Sequence, residues 1–196
     1  MAQAGTSQNP QLIEELKDYC DQLANIVEDA EELVEPLTDA QFKWRPARNK
    51  WSISECLAHL NVVNGTGEPQ LIEAIERAKA DGIFGNGPFR YGYLSRKFVR
   101  LTEPPVKIRI PAPKTYLPPI GEPKDKVLAE FLSIHARLIE IVRSANGIDL
   151  ARVKAPTPMS PRVRFSLGQL FALITAHDRR HLWQAWRVRR EPAFPT

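Results

Sequence analysis

The sequence predicts an all-α protein built as a four-helix bundle with a long Pro/Gly-rich loop between helices two and three. Apolar residues recur every three or four positions in several long segments, which is typical of helices with one buried face. Two helix starts carry capping boxes, Ser52 with Glu55 and Ser166 with Gln169. A chain of 196 residues fits one domain, so we treat residues 1–196 as a single domain.

The first predicted helix begins near Ser7 or Asn9 and runs to about Glu35, before Pro36. One face is apolar and the opposite face carries acidic residues, which indicates an amphipathic helix. The apolar face comprises Leu12, Leu16, Tyr19, Leu23, Ile26, Val27, Ala30, Leu33 and Val34.

The second predicted helix follows a linker, Pro36 to Trp51, and begins at the Ser52 capping box. We expect the segment from Gly65 to Pro69 to interrupt it before a further helical stretch, Gln70 to Ala80. Its inward residues are Ile53, Cys56, Leu57, Leu60 and Val63.

The segment from Asp81 to Pro123 is rich in glycine, proline and aromatic residues. A short helix over Gly92 to Leu101 and a strand over Val106 to Ile110 are expected within it. A loop of this length in one domain often serves a function, although it could equally serve only to cover the core.

The third predicted helix spans about Lys124 to Ala145 and ends at Asn146-Gly147. The fourth begins at Ser166 and continues to about Arg190, before Pro192. The proline-rich connection between them, Ile148 to Phe165, is expected to be an ordered or semi-extended loop and not a fifth helix.

Composition restricts the class of protein. Hydrophobic residues make up 43% and charged residues 26% of the chain, close to ordinary globular usage. The apolar runs are too short to cross a bilayer, and residues 1–12 do not resemble a secretory signal, so we expect a cytoplasmic protein without membrane association. Cys20 and Cys56 lie on apolar helix faces, where buried thiols without a disulfide are expected.

The net charge of +4 raises the question of nucleic-acid binding. The arginines cluster near the C-terminal end of the fourth helix, where cations also interact favourably with the helix dipole. No recognised nucleic-acid-binding motif accompanies them, so we expect no nucleic-acid partner.

The most informative residues for chemistry are His177 and His181. They lie four residues apart on the fourth helix and continue its apolar stripe through Leu170 and Ile174. Imidazoles at buried positions need a partner for their lone pairs, and a metal ion is one such partner. A third ligand must come from another element, and His59 stands at the edge of the apolar face of the second helix.

The motifs WSISECLAHL (51–60) and HDRRHLWQ (177–184), with WRP (44–46) in the linker, resemble the DinB/YfiT-like superfamily of four-helix bundles. This resemblance implies a bundle in which one histidine of the second helix and two of a late HxxxH motif bind a metal. Carried over to this chain, the ligands are His59, His177 and His181. The alternative is that they are buried histidines hydrogen-bonded to backbone or water.

Five further residues could belong to such a site. Glu55 could orient an imidazole or act as a general base, although its capping position explains it without catalysis. Cys56 could be a thiolate ligand, but a buried structural thiol is favoured. His135 is expected to be packed or pocket-lining, with substrate contact as the alternative. Asp178 is expected in a solvated or interhelical salt bridge, and Gln184 could contact a ligand histidine.

The resemblance implies a metal-dependent thiol S-transferase or hydrolase acting on a small molecule, since both activities occur in the superfamily. Its cosubstrate could be a low-molecular-weight thiol. The alternative is a non-catalytic metal-binding or stress-associated interaction protein. Three imidazoles suit several divalent metals, of which we expect zinc or nickel ahead of iron. The resemblance also implies a homodimer, because bundle proteins of this kind often pair. Trp183 and Trp186 lie outside the histidine stripe and could form an exposed interface.

Overall fold

The fold is a bundle of four long helices, described by a computed structural model over residues 11–106, 111–157 and 160–196. Two shorter helices, a 3₁₀ turn and a two-stranded antiparallel hairpin complete the elements of these residues. In chain order they are α1 (Glu14–Val34), α2 (Asp39–Lys43), α3 (Ile53–Ala80), α4 (Tyr93–Thr102), the 3₁₀ turn (Lys114–Tyr116), α5 (Lys124–Ser144), β1 (Lys154–Thr157), β2 (Ser160–Ser166) and α6 (Leu167–Arg189).

The four long helices pack as a ring in which α1 and α3 occupy opposite positions, as do α5 and α6. Helix α1 packs against α5 and α6, and α3 packs against the same two helices. Each of α1 and α3 therefore lies between α5 and α6. This arrangement sets α3 beside α6, which bear His59 and the HxxxH pair respectively.

The core consists of two clusters of buried apolar side chains. One includes Leu23, Leu138 and Phe171, and the other includes Phe42 and Leu57. Burial of a side chain of this size stabilises the fold by about 1.5–3 kcal/mol. The amphipathic faces read from the sequence supply most of both clusters, so the predicted fold class is confirmed.

Both predicted capping boxes are present. The Ser52 hydroxyl accepts a hydrogen bond from the Glu55 amide at 3.1 Å, and the Glu55 carboxylate accepts one from the Ser52 amide at 3.0 Å. Ser166 and Gln169 cap α6 in the same way. A third box, Thr38 with Gln41, begins the short helix α2 inside the segment predicted to be a linker.

Two predicted helix boundaries are wrong. The predicted start near Ser7 or Asn9 lies outside the described residues, but residues 11–13 are not helical and α1 begins at Glu14. The predicted interruption at Gly65 to Pro69 does not occur, because α3 continues through Pro69 to Ala80. Pro69 has no amide to donate to the preceding turn, yet Leu71 and Ile75 beyond it are buried in the core. Tertiary packing therefore outweighs the local preference for a break.

The long segment between α3 and α5 is anchored to the bundle. The predicted short helix is confirmed as α4, whereas four residues of the predicted strand, 107–110, lie outside the described residues. The Tyr91 hydroxyl donates to Glu15 of α1, and its ring lies against Gly168 of α6. Tyr19 of α1 donates a hydrogen bond to the Gly168 carbonyl of α6 at 3.0 Å. Tyr91 therefore anchors the segment at a place where α1 and α6 meet.

The connection before α6, predicted to be an ordered or semi-extended loop, contains a two-stranded hairpin that the sequence analysis did not identify. Strands β1 and β2 pair antiparallel, with Lys154 opposite Ser166 and Ala155 opposite Phe165. The prediction that this segment is not a helix is confirmed. Cys20 and Cys56 are free and buried, as expected. No helix among the described residues combines the length and the apolar character needed to cross a bilayer.

Candidate metal site

His59, His177 and His181 come together between α3 and α6. The ring centroids of His59 and His181 lie 4.6 Å apart, those of His177 and His181 also 4.6 Å, and those of His59 and His177 5.3 Å. One nitrogen of each ring lies within 4.8 Å of the other two. The four-residue spacing on α6 and the adjacency of α3 and α6 produce this cluster.

The ring of His59 is oriented by the segment between α3 and α5. Its Nδ1 lies 2.6 Å from the backbone carbonyl oxygen of Tyr116. A carbonyl oxygen can only accept a hydrogen bond, so Nδ1 carries the proton and donates it. The lone pair then resides on Nε2, so this tautomer can bind a metal through Nε2. A hydrogen bond of this kind typically orients imidazoles that are metal ligands.

His181 is held in a tightly packed environment. The ring of Trp51 stacks on it with a centroid distance of 5.6 Å and also packs against His59 at 4.9 Å. The Nδ1 atom of His181 is buried and has no hydrogen-bond partner among the described residues. A buried ring nitrogen without a partner is unfavourable, and a ligand at the cluster would remove part of that cost.

The donor set fits a divalent transition metal ion. Neutral imidazole nitrogens bind zinc at about 2.0–2.1 Å, so the nitrogens of a tetrahedral site lie about 3.4 Å apart. Side-chain rotations that move the rings by about 1 Å would bring the three nitrogens of the cluster to that spacing. These residues therefore could hold a metal ion, as the sequence pattern predicts.

The electrostatic environment keeps the three imidazoles neutral. Burial lowers the pKa of His177 to about 4, with the charge of Asp178 acting in the opposite direction. Burial and the neighbouring His177 hold the pKa of His181 well below its usual range. Burial also lowers the pKa of His59. Neutral rings have free lone pairs near neutral pH, as metal coordination requires.

The cluster opens on a cavity of about 750 Å³. Apolar side chains from α3, α4 and α6 form much of its lining, together with residues 111–113 and Tyr116 and Leu117. A volume of this size accommodates a small organic molecule. The segment between α3 and α5 therefore forms part of the cavity wall and does more than cover the core.

A second buried polar group lies directly behind the cluster. Asp178, fully buried, accepts a hydrogen bond from the Asn64 amide at 3.0 Å, and its other oxygen lies 3.1 Å from Nε2 of His135. Nδ1 of His135 is 2.8 Å from the Phe131 carbonyl oxygen. His135 is therefore packed, as predicted, and Asp178 forms the predicted interhelical pair but is not solvated.

The structure favours the capping interpretation of Glu55. Its carboxylate receives the Ser52 amide and the guanidinium of Arg45, and it does not line the cavity. A catalytic role for Glu55 stays a prediction that no contact supports.

Cys56 is fully buried in an apolar cluster, and burial raises the pKa of its thiol. A buried structural thiol is therefore the simpler interpretation of this residue. Gln184 lines the cavity together with His181, as expected for a residue three positions further along α6.

The structure weakens the tryptophan argument for a dimer, because Trp183 and Trp186 are both partly buried. Trp186 is partly buried, its Nε1 donates to Asp29 at 2.7 Å, and Arg189 lies over its ring. Trp183 lines the cavity and carries Arg187 over its ring at 4.9 Å. A homodimer stays a prediction without this argument.

Three contributors to the site were not identified from the sequence. Trp51 packs on two of the histidines. Its position directly before the Ser52 cap could have indicated that it lies near the start of the helix that carries His59. Arg180 lines the cavity, and its spacing of three from His177 could have placed it on the same face. The Tyr116 carbonyl gives no side-chain signal, so only the fold could locate it.

Known proteins were found that resemble this chain in structure and in sequence pattern. YfiT from Bacillus subtilis, described as a probable metal-dependent hydrolase with an unusual four-helix bundle topology, has a similar structure. The TM-score is 0.60 at 12% sequence identity, over 93% of this chain and 90% of YfiT, which establishes a shared fold. No curated protein matches the chain. The family model of the DinB superfamily matches residues 22–185. The chain therefore belongs to the DinB superfamily.

Proposed function

We propose that this protein binds one divalent metal ion through His59, His177 and His181 and uses it in a transferase or hydrolase reaction on a small molecule. The observation that carries the proposal is the convergence of three neutral imidazoles on the wall of a cavity large enough for a substrate. A divalent ion at this position would lower the pKa of a coordinated water or thiol, giving a nucleophile near neutral pH.

The surrounding residues would prepare the site before substrate arrives. The Tyr116 carbonyl holds the proton of His59 at Nδ1, which leaves Nε2 available as a ligand. Trp51 restricts the rings of His59 and His181 from one side. Apolar walls limit the water near the reacting groups, which strengthens electrostatic effects there.

The description of YfiT as a metal-dependent hydrolase supports metal-assisted chemistry. An open cavity next to the imidazoles favours an enzyme over the alternative, a protein that only holds a metal or serves as a stress-associated partner. Zinc and nickel are the metals we expect first, with iron next. A low-molecular-weight thiol is the proposed cosubstrate for the transferase reaction.

Cobalt substitution tests the open position. Protein loaded with cobalt in place of the native metal should show visible absorption bands that shift when a small thiol is added, because sulfur enters the coordination shell. If the bands of the cobalt-loaded protein respond neither to small thiols nor to simple anions, the metal has no coordination position open to them. The transferase hypothesis would then be abandoned. The His177→Ala variant, which lacks a ligand, is the control for adventitious cobalt.

Turnover separates transferase from hydrolase activity. A transferase should conjugate an electrophile only when the thiol is present, and a hydrolase should release product without it. Both products can be identified by mass spectrometry. Equal rates in the wild type and His177→Ala would mean that the reaction does not use this site.

A further inference from the structure

Gly67 stands at the centre of α3, in the wall of the cavity. Glycine in a helix interior is destabilising relative to alanine, so its presence there calls for a reason. Packing does not supply one, because a Cβ at this position would meet no heavy atom of the described residues within 4 Å. The absent side chain instead leaves the backbone of α3 open to a ligand in the cavity.

The position of Gly67 along the cavity follows from the way α3 and α6 pack. His59, near the start of α3, meets His181 in the second half of α6. Leu71, further along α3, shares a core cluster with Leu170 near the start of α6, so the two helices run antiparallel. These two levels are about 16 Å apart along α6, at about 1.5 Å per residue. Gly67 lies between them, in the half of the cavity that extends from the histidines towards the start of α6.

Helix α4 encloses this half of the cavity from a third side. Near its start, the Ser95 hydroxyl accepts a hydrogen bond from Gln169. Just after its end, Glu103 accepts one from Arg179 at 3.0 Å, so α4 runs alongside α6 in the same direction. Phe98, between these two anchors, lines the cavity. This half is therefore bounded by α3, α4 and α6.

The lining of this half, which we call the Gly67 half, is largely apolar. Its lining side chains include Val63, Leu71, Phe98, Leu170, Leu173 and Ile174. The polar side chains near it have other contacts. The Asn64 amide already donates a hydrogen bond within the protein, the Thr102 hydroxyl donates to the Phe98 carbonyl at 3.1 Å, and Gln70 is exposed to solvent. Such a surface favours hydrocarbon groups.

The charged residues of the described lining lie outside the Gly67 half. Arg180 is level with the histidines, and Arg187 and Glu191 follow them along the chain. Lys50 belongs to the same end of the cavity, since its ammonium lies 3.7 Å from the Glu191 carboxylate. A charged ligand group placed beside Gly67 would lose its hydration and meet no opposite charge in the described lining. The Gly67 half therefore favours a neutral ligand group.

We propose that the Gly67 half binds an uncharged apolar group of the substrate, which lies against the backbone of α3 while the reacting group points to the histidines. The substrate class is then an organic compound whose uncharged hydrocarbon chain or ring is attached next to the bond that reacts. As a statement about a substrate, this inference rests on the proposed function, whereas the binding that it predicts does not.

Calorimetric titration of the metal-free protein with 1-hexanol, 1-octanol and 1,8-octanediol tests this binding. Two further methylenes in the Gly67 half should make octanol bind about tenfold more tightly than hexanol. The diol places a second hydroxyl in this half, where it would lack a partner, so it should bind about tenfold or more weakly than octanol. Metal-free protein is used because an alcohol oxygen could also coordinate a metal.

A side chain added at Gly67 locates the binding. Gly67→Leu introduces a good helix former into open space, so the fold should tolerate it. The new side chain occupies the space that the octanol chain would fill, so octanol should bind about tenfold or more weakly. Thr66→Leu adds the same side chain at the preceding, exposed position outside the cavity lining, and it should leave octanol binding unchanged.

Three results would overturn the proposal: octanol binding no tighter than that of hexanol, octanol binding no tighter than that of octanediol, or unchanged octanol binding in a folded Gly67→Leu variant. The wild-type comparison of octanol with octanediol decides the question if Gly67→Leu does not fold. The expected preferences in a protein that takes up no metal would refute the proposed function alone. Stoichiometric metal uptake without these preferences would refute this inference alone.

Discussion

The buried group formed by Asn64, His135 and Asp178 allows a sharp test of how hydrogen bonds hold α3, α5 and α6 together. Both oxygens of the Asp178 carboxylate are engaged, one with the Asn64 amide and the other with Nε2 of His135. Asp178→Ala would leave these two buried groups without their partner. Each unsatisfied group costs about 1–3 kcal/mol, so we expect a loss of about 2–6 kcal/mol in the free energy of unfolding.

Asp178→Asn should behave differently, because an amide can satisfy the same network without charge. The oxygen of the new side chain can accept a hydrogen bond from Asn64. Its NH₂ group can donate to Nε2 of His135, while Nδ1 of His135 still donates to the Phe131 carbonyl. We therefore expect this variant to lose about 1 kcal/mol or less.

Urea unfolding of the metal-free protein, followed by tryptophan fluorescence, measures both variants. The midpoints should differ while the slope of the free energy against urea stays the same. Asp21→Ala, at an exposed position of α1, is the control and should change stability by no more than about 0.5 kcal/mol. Equal losses for Asp178→Ala and Asp178→Asn would refute the argument from hydrogen-bond geometry and point to the charge instead.

Three other predictions concern packing, capping and assembly. A Cβ at Gly168 would lie 2.5 Å from Cζ of Tyr91, so Gly168→Ala should lower the urea midpoint of unfolding. A Cβ at Gly67 would meet open space, so Gly67→Ala should raise the free energy of unfolding by about 0.5–1 kcal/mol. Glu55→Ala removes the cap and the Arg45 ion pair, so it should cost about 2 kcal/mol but leave metal content unchanged. Sedimentation at micromolar concentration should show a homodimer.

Each of these has a contradicting result. Stabilisation by Gly168→Ala would mean that Tyr91 does not hold the loop segment on α6. Loss of metal in a folded Glu55→Ala variant would revive a role for this carboxylate at the metal site. A single species of 22.2 kDa in sedimentation would remove the dimer.

The features predicted correctly from the sequence are those with local causes. The capping boxes at Ser52 and Ser166 depend on residues three positions apart, and the apolar stripes depend on the helical repeat. The pairing of His177 with His181 is of the same kind. The place of His59 required the resemblance to the DinB superfamily, because nothing local specifies which helices are neighbours.

The features that were missed depend on contacts between distant segments. Helix α3 continues through Pro69 because the residues beyond it are buried in the core. The hairpin carries Pro156 and Pro161, which read as loop signals, yet a two-stranded sheet has free edges where proline is tolerated. The contact of Tyr116 with His59 involves a backbone carbonyl, which no residue pattern reveals.

Metal content of the ligand variants tests the central claim most directly. Protein purified without a metal-binding tag, stripped with a chelator and reloaded, should hold one zinc or nickel ion per chain by elemental analysis. His177→Ala should lose that ion while circular dichroism shows unchanged helical content, because the apolar clusters build the bundle without it. His135→Gln, a histidine change outside the cluster, should keep the metal. Undiminished metal in His177→Ala, or no stoichiometric uptake by the wild type, would contradict the assignment of His59, His177 and His181 as the metal site.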